Sequence, residues 1–175
     1  CVDASRVFAT GISGGAAFAT ELACKTDLLA GIAPVAGLNL VPPCQNAAPV
    51  TVLAIHGTDD ALVAYDGIET DSASVGADDD TAPTPAAEET TDPAAAASAS
   101  SDPSAPRRPF YNGPVQADVA RWAAAMGCSG STPGQASTDV ATETYTGCRE
   151  GVTVALWTVQ GGGHTWPGAA IVPEG

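Results

Sequence analysis

Ser13 stands between glycines in GISGG (11–15), His164 lies in QGGGHTWPG (160–168), and Asp59 and Asp60 lie in HGTDD (56–60). A hydroxyl, an imidazole and a carboxylate are the three groups needed to make a serine nucleophilic. The hydroxyl is inert until a base takes its proton, and the base needs a carboxylate to fix its tautomer and stabilise its cation. The chain has only two histidines, so the candidates for base are few. His56 ends an apolar run directly before Gly57 and reads as a packed histidine bonding its own turn. His164, among glycines that let a loop swing an imidazole over a surface, reads as the base. Trp166, two residues beyond it, either lines the substrate pocket or packs under the loop.

These groups work together only if the elements around them bring them to one place. RVFATGI (6–12) reads as a strand that runs into the serine, and a helical stretch follows from about 14 to 25. IAPVAG (32–37) is a short buried strand, and VTVLAIHG (50–57) a stronger one with β-branched residues and a terminal glycine. In PVQADVARWAAAM (114–126), Val115, Val119, Trp122 and Met126 form a helical stripe, with Pro114 suited to the start and Gly127 to the end. VTVALWTV (152–159) is the last strand. This order predicts an α/β fold with a mostly parallel sheet flanked by helices. In such a sheet the carboxyl ends of the strands share one edge, and ligands gather there. Ser13, Asp60 and His164 each follow a strand, so all three are expected at that edge.

G-x-S-x-G alone is a modest signal in a chain with 19 glycines, and Ser13 would serve equally well as a plain helix N-cap. Its place between strand and helix is the stronger observation. That is the geometry of a nucleophile elbow, in which a strained turn raises the serine above the sheet. The Gly14 backbone N–H, at the positive end of the helix, is then placed to stabilise an oxyanion. The order Ser…Asp…His is also the one expected of α/β-hydrolases.

The chain carries 6 Lys+Arg against 20 Asp+Glu, a formal net charge of −14, which argues against nucleic acid and anionic membrane surfaces as partners. No apolar run approaches the length of a membrane span. Nine of the acids fall in residues 69–106, which hold no Lys, Arg or aromatic residue; setting them aside leaves about −5. Such a composition cannot bury enough surface to offset its ordering entropy. Residues 69–108 therefore read as a disordered acidic Ala/Ser/Thr/Pro insertion between 1–68 and 109–175, which form the partial catalytic domain. Five cysteines with a single lysine suggest an exported, oxidised protein. Without a CxxC pair, neither a zinc site nor another metal is expected. The strand 6–12 and the helix 14–25 run in opposite directions, which brings Cys1 and Cys24 to the same end and makes Cys1–Cys24 a candidate bridge. Cys128 and Cys148 flank a Gly/Ser/Thr-rich loop and form a second pair, leaving Cys44, with Cys24–Cys44 as a competitor.

RVFATGISGG, IAPVAG, IHGTDDALVAYDG, RWAAAMGC and GGGHTWPG, in that order, resemble the extracellular poly(3-hydroxybutyrate) depolymerase and feruloyl esterase group of secreted α/β-hydrolases. The resemblance covers residues 1–68 and 109–168. It implies a cofactor-free carboxylic ester hydrolase with Ser13 as nucleophile, His164 as base and Asp60, the second aspartate of HGTDD, as acid. CVD ahead of the first strand resembles the feruloyl esterase branch, with polyhydroxyalkanoate and acetylxylan as alternative substrates. The group usually has a larger residue where Gly14 stands, and often a glycine where Ala16 stands. It also carries several strands ahead of the elbow, among them a His-Gly loop with the second oxyanion donor, and a closing helix after the His loop. The resemblance therefore implies that this chain is a fragment with little turnover on its own. A non-catalytic binding protein on the same scaffold is the contrasting expectation.

Overall fold

A computed structural model of the chain describes residues 3–68 and 111–169. The acidic segment, Cys1 and residues 170–175 lie outside the described residues. In chain order the elements are β1 (Phe8–Ile12), α1 (Gly14–Lys25), β2 (Gly31–Val35), β3 (Thr51–Gly57), α2 (Val115–Ala125), β4 (Gly130–Ser137), β5 (Val140–Thr146) and β6 (Val154–Val159). They form one six-stranded sheet in the order β1-β2-β3-β6-β5-β4. β1, β2, β3 and β6 are parallel, and β5 and β4 continue the sheet antiparallel. The architecture is α/β with a mostly parallel sheet.

Side chains alternate across each strand, so one face carries Ile32, Val52, Ala54, Val154 and Leu156. Those residues form a single cluster with Ala23 of α1 and with Val115, Val119, Trp122 and Met126 of the α2 stripe. Trp122 is 1% exposed, and truncating so large a buried side chain costs about 3–5 kcal/mol. Gly127, in the left-handed region at φ 67°, ends α2 by returning N–H groups to its last carbonyls. The opposite sheet face carries Phe8, Ala33, Leu53 and Trp157, and among the described residues no helix covers it. Phe8 is 65% exposed there.

Two sequence expectations need correction. The stretch between Cys128 and Cys148 is a hairpin rather than a loop, β4 and β5 turning at Thr138–Asp139. Its GSTPGQAS strand is exposed throughout and has little β-propensity of its own. Pairing supplies what the local sequence lacks, because β5 adds to the free edge of β6 from Tyr145↔Val154 to Val140↔Val159, and the Cys128–Cys148 bridge closes the base. The expected Cys1–Cys24 bridge is not formed: Cys24 is bonded to Cys44. The topology had placed Cys24 at the lower end of the sheet, but the connection from β2 to β3 returns to that same end just before Thr51. Cys44 therefore meets the last turn of α1, with a Cα–Cα distance of 5.6 Å.

The two ends of the undescribed segment 69–110 are held together. The Ile68 N–H donates to the Asn112 carbonyl at 2.9 Å. Asn39 and Gly113 exchange two bonds, Gly113 N–H to Asn39 O at 3.1 Å and Asn39 Nδ2 to Gly113 O at 2.8 Å. Beside them the buried Asp118 accepts from the Tyr111 hydroxyl at 2.9 Å and from Arg121 at 2.8 Å. Burial pushes the Asp118 carboxyl above its ordinary range despite those donors, and burial with the Asp118 contact pushes Tyr111 up to about 12.

Candidate active site

β1 ends at Ile12 and α1 begins at Gly14, so Ser13 alone makes the turn. Its φ of 56° and ψ of −124° lie outside the regions that ordinary side chains allow, a conformation costing about 1–3 kcal/mol. Bonds on both sides impose it. The Ser13 N–H donates to Val35 O at 3.0 Å, and the Ser13 carbonyl accepts from Ala17 N–H at 3.0 Å. A side chain at Gly11 would strike the Gly15 carbonyl, and one at Gly37 would strike the carbonyl oxygen of Ser13. Gly15 itself has open space around it, so Gly11 and Gly37 are the glycines that the turn requires.

Ser13 occupies the N-cap position of α1, yet its side chain makes no capping bond, and the hydroxyl is not committed to the helix. The Gly14 N–H is among the first donors of α1, which have no partner within the helix, and it sits where the helix dipole is positive.

Asp60 is buried in the turn after β3. Its Oδ1 accepts the N–H groups of Leu62 at 2.9 Å and Val63 at 2.8 Å, and its Oδ2 meets His164 Nδ1 at 2.8 Å. Burial pushes the carboxyl up, but the donors from Val63, His164 and Leu62 outweigh it and hold it below its ordinary value. Asp60 is therefore ionised at neutral pH and aimed at the imidazole. Asp59 is exposed; its carboxylate accepts from the Thr58 hydroxyl at 3.2 Å, and its N–H donates to Gly162 O at 3.0 Å.

The His164 loop is bound to the Asp60 turn rather than free to swing. Besides the Asp59–Gly162 bond, Gly161 N–H donates to Thr58 Oγ1 at 2.9 Å and Thr58 N–H donates to Val159 O at 3.0 Å. The approach is so close that a side chain at Gly57 would strike the Gly162 carbonyl. A cavity of about 30 Å³ lies under the loop, bounded by Ala36, Ile55, His56, Val159, Thr165 and Pro167. Trp166 is 43% exposed, too open to anchor the loop by packing. Among the described residues, no group of three or more His, Cys, Asp and Glu is placed to hold a metal ion.

Of the three candidate residues, His164 and Asp60 are thus in direct contact. Ser13 stands at the same sheet edge, where β1, β2, β3 and β6 all end, but Ser13 Oγ and His164 are not hydrogen-bonded to each other.

No family model matches the chain. It is 35% identical over 173 residues to the "Putative esterase NocK" of Nocardia uniformis subsp. tsuyamanensis, an alignment that covers 97% of this chain and 45% of that protein. It is 26% identical over 170 residues to "Feruloyl esterase B" of Piromyces equi, covering 94% of this chain and 26% of that protein. The chain therefore spans about half the length of the first relative and about a quarter of the second.

Proposed function

We propose that this chain carries the catalytic residues of a secreted serine esterase of the α/β-hydrolase type. The observation that carries this reading is the strained Ser13 turn, its hydroxyl not engaged in capping α1, at the sheet edge that also holds the His164–Asp60 pair. The similarity to two proteins named as esterases supports it, and the disulfides Cys24–Cys44 and Cys128–Cys148 support an extracellular location.

The Ser13 oxygen attacks the ester carbonyl while His164 Nε2 takes its proton. Asp60, ionised and bonded to Nδ1, holds the imidazole in the tautomer that leaves Nε2 free and then stabilises the imidazolium. Charge develops on the former carbonyl oxygen, where the Gly14 N–H is one donor. The tetrahedral intermediate collapses, His164 returns the proton to the departing alcohol, and an acyl-Ser13 enzyme remains. Water, activated by the same imidazole, releases the acid and restores Ser13. The substrate class we favour is feruloyl esters of plant cell-wall xylan, supported by the name of the fungal relative and by the exposed Trp166 beside the base, a surface suited to an aromatic acyl group. Polyhydroxyalkanoate, the alternative that the sequence resemblance places behind feruloyl esters, is the second reading.

The test is fluorophosphonate labelling of the full-length protein beside Ser13→Ala. Labelling confined to the unaltered protein is expected; equal labelling of both sinks Ser13 as the nucleophile, and labelling of neither favours a binding scaffold. Turnover of methyl ferulate against a polyhydroxybutyrate film then separates the substrates.

A further inference from the structure

His56, which the mechanism does not use, reaches the same carboxylate oxygen as the proposed base. It is 2% exposed. Its Nε2 lies 2.9 Å from the Val63 carbonyl and 3.4 Å from Asp60 Oδ2, the oxygen that His164 Nδ1 meets at 2.8 Å. A carbonyl and an ionised carboxylate are both acceptors, so the nitrogen between them must carry a hydrogen. We infer that His56 is a positioning residue for Asp60, its Nε2–H directed at Val63 and Asp60 together so that the carboxylate keeps the orientation on which His164 depends. The consequence for rate rests on the esterase reading; the geometry does not.

The turn from His56 to Val63 is a closed circuit. Val63 gives its N–H to Asp60 Oδ1 and accepts His56 Nε2–H at its carbonyl, while the same His56 Nε2 lies 3.4 Å from Asp60 Oδ2. The bond to Val63 is the shorter and stronger branch; the 3.4 Å branch acts on Asp60 chiefly through charge and dipole. The ring is itself fixed, standing edge-on to Tyr65 with centroids 5.8 Å apart. The Tyr65 hydroxyl in turn bonds Thr158, which pairs with His56 across β3 and β6.

The charge state fits the role. The titratable groups around the ring are Asp60, His164 and Tyr65. Burial pushes the His56 imidazole down; the Val63 and Asp60 contacts act upward and His164 downward, and the net direction is down. A neutral His56 orients Asp60 without neutralising it, which leaves the carboxylate's charge to the imidazolium that forms at His164. A cationic His56 would compete for that charge.

The experiment is NMR of the ¹⁵N-histidine-labelled full-length protein, combined with steady-state kinetics. In the unaltered protein His56 is expected as the neutral Nε2–H tautomer at pH 7, and His164 with a downfield Nδ1–H shared with Asp60. A protonated His56 or the Nδ1–H tautomer overturns the inference without any variant. His56→Phe, and His56→Met if the first does not fold, should weaken the downfield His164 signal and lower kcat about tenfold at unchanged KM, the scale set by slight misplacement of a reacting group. His56→Gln, which can return an N–H to the Nε2 position, should restore both to within about threefold by the same reasoning. A folded donor-free variant with the His164 signal intact and kcat unchanged refutes the inference. Failure of serine labelling with the His164 signal intact refutes the esterase reading instead, so the two failures are distinguishable.

Discussion

Ser13→Gly should stabilise the protein while removing the proposed nucleophile. At φ 56° and ψ −124° the Ser13 backbone is close to the mirror image of ordinary extended chain. Glycine enters that region freely, whereas any residue with a Cβ meets a steric cost of about 1–3 kcal/mol. The proper control is Ser13→Ala, which keeps the Cβ and the strain and loses only a hydroxyl that makes no capping bond. Opposing the relief, glycine gives the unfolded chain more freedom, at a cost of about 0.5–1 kcal/mol. The balance leaves Ser13→Gly about 0–2.5 kcal/mol more stable than Ser13→Ala. Urea unfolding followed by tryptophan fluorescence measures the difference, since Trp122 is 1% exposed and equal slopes would show that the denatured states match. If Ser13→Gly is less stable than Ser13→Ala at equal slope, the turn is not strained and the elbow argument loses its physical basis.

Four further outcomes can be checked. In Gly57→Ala the new methyl falls on the Gly162 carbonyl, so urea unfolding should show a loss of about 1–3 kcal/mol from overpacking, with slower fluorophosphonate labelling as the His164 loop is displaced. Cys24→Ala/Cys44→Ala opens a bridge with sequence separation 20, and the same measurement should register about 3 kcal/mol lost on the chain-entropy account. Replacing residues 69–110 by a four-residue Gly/Ser linker should preserve cooperative unfolding, because Ile68 and Asn112 are already bonded; the shorter loop should add up to about 2 kcal/mol. Stability should also fall with acid in two stages. Because His56 is depressed in the fold, the unfolded chain takes up a proton that the folded one refuses. Its contribution is intact above the unfolded value of about 6.5 and is lost as pH drops from there through the lower folded value. Asp60, also depressed, follows below about pH 4 by the same sign. Unfolding free energy against pH should lose its first stage in His56→Gln, and an unchanged curve would show that His56 is not the group responsible.

Much of the fold was legible because its signals are short-range. The 4-3-4 spacing of Val115, Val119, Trp122 and Met126 follows from helix geometry, and the limits of α2 agree with Pro114 before it and Gly127 after it. β3 was readable from its β-branched run. The β4–β5 hairpin was not, because GSTPGQAS has no strand character of its own and is held by an edge that only the assembled sheet provides. The cysteine pairing failed for a related reason: chain direction placed Cys24 at the correct end, but two other cysteines had a claim to it.

The sequence by itself determined the order of Ser13, Asp60 and His164, the strand before each of them, and hence their common edge, since parallel strands end on the same side. The sequence resemblance already pointed to Asp60 over Asp59; the tertiary structure supplied the physical reason, and it alone decided that His56 shares the oxygen His164 uses. Asp59 and Asp60 differ by one position in a turn and are chemically identical. What separates them is the Leu62 and Val63 N–H groups on one and solvent on the other. The His164 contact spans 104 positions of chain, and a distance of 2.8 Å across that separation is set by how β3 and β6 lie together, not by any local pattern of residues.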